Sequence, residues 1–104
     1  MLNLTKNNID EEIKEPIIVD FWAGWCSPCK EMDPMFDQLS EEIKNLKFAK
    51  LNVDQEPELA VRFGVMSIPT FLIIREGKEI GRIVGSMQKS TFKEKIEESW
   101  KEIA

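Results

Sequence analysis

The two cysteines of this chain, Cys26 and Cys29, stand three positions apart, and one turn of helix at that spacing brings both sulfurs within disulfide reach. A dithiol held in this way can pass two electrons to another disulfide. Upstream lies the apolar run Ile17-Ile18-Val19-Asp20-Phe21-Trp22, and downstream Met32, Phe36, Leu39 and Ile43 recur at helical spacing. The pair therefore falls at a strand-to-helix junction. Cys26 is at the helix mouth, where unpaired N–H groups and the positive end of the helix dipole favour a thiolate. Cys29 precedes Met32 and Phe36 by three and seven residues and continues their buried stripe. This asymmetry predicts Cys26 as the attacking sulfur and Cys29 as the resolving one.

Other chemistry fits the residues less well. A Cys-x-x-Cys pair can be half of a zinc site, but a structural zinc usually takes four Cys or His ligands, and the chain has no histidine and no third cysteine. A metal would have to be shared between two copies. An inert buried pair is the other alternative, and the place of Cys26 at a thiolate-favouring helix mouth speaks against it. Asp20 lies midway along a strand whose two faces are otherwise apolar. An ionised, unpaired carboxylate there costs several kcal/mol, so its pKa is expected to be raised; a strand-end carboxylate touching water is the alternative.

The elements that position these residues follow from periodicity. Leu2 and Leu4 alternate as in a short edge strand, and Asn7 or Asn8 can cap a short helix with Ile9 and Ile13 on one face. Ile17 to Trp22, apolar on both sides apart from Asp20, reads as a central strand covered by two layers. Pro28 fits the first turn of the next helix, whereas Pro34 falls inside it and is expected to kink it rather than end it. Leu46 to Val53 gives another strand, Pro57 opens a helix that Gly64 closes, and Thr70 to Ile74 gives a further strand. Glu76-Gly77-Lys78 is a turn signal, so Ile80 to Val84 returns as a hairpin partner. A last helix places Phe92, Ile96, Trp100 and Ile103 on one face, with a solvated charged face opposite. The order is β-α-β-α-β-α-β-β-α.

With 104 residues and 42% hydrophobic content, one domain spanning 1–104 is expected. A net charge of −5 with mixed signs argues against a nucleic-acid surface. No stretch approaches the roughly 20 apolar residues of a membrane span, and the first residues carry no apolar signal region. A cytoplasmic protein is the natural expectation. In a reducing compartment two cysteines three apart are more readily catalytic than structural, since so short a link constrains the unfolded chain little.

The segment VDFWAGWCSPCK resembles the active-site segment of the thioredoxin family, and so do KLNVDQEPELAVRFGVMSIPTFL, the EGK turn and the VG before the last helix. The resemblance runs from Ile17 to about Trp100. It implies an α/β thioredoxin fold, a central mixed five-stranded sheet flanked by four helices. It also implies a thiol-disulfide oxidoreductase that reduces protein disulfides, with a thioredoxin reductase as electron donor, disulfide-containing proteins as clients, and no bound cofactor. Residue by residue, it makes Asp20 the buried proton acceptor and donor for Cys29, and Lys50 a neighbour of Asp20. It implies a cis bond at Ile68-Pro69 beside the disulfide. Trp25, Pro28, Ile68, Val84 and Gly85 would form a shallow apolar surface for clients, with an extended peptide pairing along Ile68 as an added strand. A monomer suffices for all of this. Two departures touch the site: Ser27 stands where relatives carry Gly, and Met66-Ser67 precede Ile68 where they often carry a charged residue and glycine. Two other functions use the same features, a disulfide oxidase or isomerase with a more oxidising pair, and a binding or holdase subunit whose dithiol is incidental.

Overall fold

The computed structural model describes residues 1–101. Its elements are β1 (Leu2–Asn3), α1 (Ile9–Glu12), β2 (Ile17–Trp22), α2 (Ser27–Glu42), β3 (Lys47–Asn52), α3 (Pro57–Arg62), β4 (Thr70–Arg75), β5 (Lys78–Val84) and α4 (Lys89–Lys101). The element order is the one the periodicity predicts. Of the expected α4 face, Ile103 lies outside the described residues.

The five strands form one mixed sheet in the order β1-β3-β2-β4-β5. β1 and β2 both run parallel to β3, while β4 runs antiparallel to β2 and to β5. β2 is the middle strand, and the reason is its composition: Ile17, Val19 and Phe21 pack on one side, Ile18 on the other, and all are fully buried. Two cores result. One joins Ile9, Ile13 and Leu59 of the α1 and α3 side to the sheet; the other joins Met32, Phe36 and Leu39 of α2 and Phe92 and Ile96 of α4 to the opposite face. Through the second core runs a chain of rings, Phe48 to Phe36 to Phe71 to Phe92, with centroids 5.0, 5.7 and 4.6 Å apart. These tilted contacts fix α2 and α4 against the sheet.

Glu76 and Gly77 both have positive φ, 52° and 77°, which is the backbone a two-residue hairpin between Arg75 and Lys78 requires. β5 begins at Lys78 and carries a register shift opposite Ile73 and Ile74. α2 continues through Pro34 as one helix of 16 residues. The expected cap of α1 is different. Asn8 occupies the position before the helix but makes no capping bond; its Oδ1 accepts the Thr5 N–H at 2.8 Å and its Nδ2 donates to the Asn3 carbonyl at 3.0 Å. The short amide side chain closes the preceding turn instead, a local competition that asparagine often wins.

Candidate functional site

β2 ends at Trp22 and the chain turns through Ala23, Gly24 and Trp25 into α2. Cys26 is the residue before the helix, in extended conformation at φ −91° and ψ 106°, and its Sγ accepts the backbone N–H of Cys29 at 3.2 Å. A sulfur thus occupies the place of a capping oxygen, next to helix N–H groups that lack intrahelical partners. Ser27 and Pro28 follow, both exposed, with Pro28 in the first turn where its missing N–H does no harm. Cys26 and Cys29 are joined as a disulfide with Cα atoms 5.3 Å apart.

Burial does not separate the two cysteines as the stripe alone implies. Cys26 is 4% exposed and Cys29 2%, because Ala23 packs with both, and Trp22, Val53 and Ile68 close over them. What distinguishes the pair is the helix mouth: Cys26 receives the N–H of the first turn, while Cys29 stands within it, continuing to the buried Met32, Phe36 and Leu39.

Asp20 is buried on the β2 face that α2 covers, and neither of its carboxylate oxygens has a hydrogen-bond partner. Its pKa is raised from 3.8 to about 7, by burial first and by the Asp33 carboxylate next, with Lys50 working in the opposite sense and Asp37 adding to the rise. Lys50 pairs in register with Asp20 across β2 and β3. Its ammonium nevertheless bonds to Asp33 at 3.1 Å, with Asp37 at 3.9 Å, so it acts on Asp20 through its field and not through a bond. Asp33 and Asp37 were not singled out from the sequence, although Cys29, Asp33 and Asp37 recur every fourth residue along α2 and so share one flank.

The Ile68-Pro69 bond is cis, as the resemblance implies. Pro69 is buried, Ile68 is half-buried against the disulfide, and the Pro69 carbonyl accepts the Gly85 N–H at 2.9 Å. Gly85 has φ 92°, a backbone that side chains rarely adopt, which explains glycine at the point where β5 leaves the sheet. Val84, paired with Thr70, is 53% exposed. Trp25 is 71% exposed, so it is no part of the core, and its Nε1 donates to Asp54 Oδ2 at 2.9 Å. Asp54, which fixes the indole over the site, lies 29 residues away and gives no local sequence signal. The fold thus brings Cys26, Cys29, Ile68, Pro69 and Gly85 together, with Trp25 and Val84 exposed around them.

A disulfide whose first sulfur caps a helix, a buried carboxylate with its pKa raised to about 7 and an apolar rim are the features of a dithiol-disulfide exchange protein. The family model described as Thioredoxin matches residues 1–98. Among curated proteins, the chain is 41% identical to "Thioredoxin" of Chlorobaculum thiosulfatiphilum over 98 residues, covering 90% of this chain and 91% of that one. It is 36% identical to "Thioredoxin" of Rickettsia felis over 93% of this chain and 96% of that one. With "Thioredoxin M-type, chloroplastic" of Chlamydomonas reinhardtii the identity is 39%, over 89% and 67%. The chain belongs to the thioredoxin family, and is a thiol-disulfide oxidoreductase of the protein-disulfide reductase type. Membership carries with it a reductase partner and disulfide clients in general.

Proposed function

We propose that the chain, working as a single-domain monomer in the cytoplasm, reduces client disulfides through a Cys26-Cys29 relay in which Asp20 carries the proton of the second step. The Cys26 thiolate attacks one sulfur of the client disulfide; a bond forms to that sulfur and the other client sulfur leaves as a thiolate that takes up a proton. Cys29 then loses its proton to the Asp20 carboxylate and attacks Cys26 Sγ. The mixed disulfide breaks, the second client thiol leaves, and the Cys26-Cys29 disulfide remains. Two electrons have moved from the dithiol to the client. A separate reductase returns them, which is why a reducing compartment is part of the reading.

The observation that carries the assignment is the capping bond from Cys29 N–H to Cys26 Sγ. It supports Cys26 as the sulfur whose negative charge is stabilised, and a stabilised thiolate is the attacking species. For Asp20, a pKa of about 7 supports the role, since a base near the working pH is half deprotonated and still strong enough to take a proton. Trp25, Pro28, Ile68, Val84 and Gly85 form the client surface, on which an extended segment pairs along Ile68. Lys50 tunes the charge of Asp20 and does not touch the client.

Equilibration of the Cys26-Cys29 couple with glutathione buffers tests the direction of electron flow. A reductase gives a potential more negative than about −230 mV, and a value close to the roughly −120 mV of a dedicated oxidant would overturn the reading in favour of an oxidase.

A further inference from the structure

Beside the disulfide lies a cleft of about 360 Å³, lined by Trp25, Val53, Ala60, Val65, Met66 and Ile68 together with Pro57 and Ser67. Its size is at the low end of the roughly 300–1,000 Å³ typical of small-molecule pockets, enough for a side chain or two and not for a large cofactor. It is continuous with the reacting centre, because Val53 and Ile68 line the cleft and also pack against the Cys26 and Cys29 cluster. One rim is Trp25, tied down by Asp54. The other is Met66, which at 97% exposure is the most exposed large apolar side chain among the described residues.

The segment that presents Met66 is held at both ends. The Arg82 guanidinium, paired with Glu79, donates to the Gly64 carbonyl at 3.0 Å and to the Phe63 carbonyl at 2.7 Å. Val65 N–H bonds to the Ala60 carbonyl at 2.9 Å, and the Thr70 hydroxyl donates to the Ser67 carbonyl at 2.6 Å. Met66 is therefore a flexible thioether on a fixed base. An unbranched, polarisable side chain of that kind moulds itself to apolar partners of varied shape, and the fixed base limits the ordering that binding would otherwise require.

Resting on the reductase reading, we propose that Met66 is a specificity-determining residue, which selects clients carrying an apolar side chain within two residues of the reacting cysteine. Once the client cysteine is bonded to Cys26, an extended chain advances about 3.3 Å per residue, so a side chain two residues away lies on the same face of the client strand about 7 Å along, and the cleft adjoins the cysteine cluster through Val53 and Ile68. There it packs between Trp25 and Met66. An acidic side chain at the same place meets the Asp54 carboxylate at the edge of the indole and is disfavoured.

The test uses cystine-linked homodimers of a short synthetic peptide with Leu or Asn two residues after its cysteine. The readout is the ratio of kcat/KM for the Leu peptide to that for the Asn peptide, which cancels any general change in the protein. The protein favours the Leu peptide about fivefold, in line with modest discrimination by an apolar contact; Met66→Glu brings the ratio to about one, and Met66→Leu keeps it. A ratio near one in the unsubstituted protein, or one unmoved by Met66→Glu, overturns the inference while leaving the reductase reading in place. Reduction of neither peptide would overturn the reductase reading and this inference with it.

Discussion

Asp20 holds a proton up to about pH 7 because it sits out of water beside two other carboxylates, and Lys50 compensates only in part. Its raised pKa links stability to pH. Between about pH 4 and 7 the folded chain keeps a proton on this group that the unfolded chain has released, so folding takes up a proton and stability falls as pH rises. Above about 7 both states are ionised, and the penalty levels off on the order of 4 kcal/mol. Asp20→Asn removes the ionisation, and the variant is expected to be more stable at pH 8 by a few kcal/mol, roughly 2–4, with little gain near pH 4. Denaturant unfolding at a series of pH values checks this; profiles that stay parallel would show that Asp20 has no raised pKa. The same variant is expected to exchange disulfides more slowly near neutral pH, because an amide cannot accept the Cys29 proton. At this scale the sequence exposes Asp20 as a misfit in an apolar strand. The position of its pKa is not legible there, since it depends on charges that α2 and β3 bring in from elsewhere.

At the scale of elements, α2 does most of the positioning: its first turn caps on Cys26 and its buried stripe anchors the motif to the sheet. Phe36 is the central ring of that anchor, fully buried and in contact with Phe48 and Phe71. Phe36→Ala is expected to destabilise the fold by about 3–5 kcal/mol through lost burial and a cavity that the flanking rings cannot fill. A shift of less than about 1 kcal/mol in equilibrium unfolding would mean that α2 is held by something else. Elements such as this were legible because a helix and a strand impose periods of their own on apolar residues: Met32, Phe36 and Leu39 mark one, and the alternation of Phe71 and Ile73 with Leu72 and Ile74 the other. The start of α1 at Asn8 was legible, but the bonding of its cap was not. An asparagine before a helix can bond forward or backward, and the choice of Asn8 depends on how β1 enters the turn.

Over the whole molecule, a sheet order of β1-β3-β2-β4-β5 sets β2 between two helical layers and delivers its end to the junction where Cys26 stands. The two-sided apolar pattern of β2 makes its central place readable. Contacts between remote segments carry no period and were not: Trp25 with Asp54, Lys50 with Asp33, and Arg82 with Gly64 are made only when the sheet, its helices and the loops between them come together. The site is accordingly half written in one short motif and half assembled by the fold. Its central claim is the division of labour between the sulfurs. Trapping tests it most directly: each single Cys→Ser variant, reduced, is mixed with a disulfide-bonded client protein, and covalent complexes are resolved without reductant and mapped by mass spectrometry. Cys29→Ser is predicted to accumulate a mixed disulfide at Cys26, and Cys26→Ser to trap little. A complex held chiefly by Cys29 in the Cys26→Ser variant, with none in Cys29→Ser, would contradict the assignment of Cys26 as the attacking sulfur.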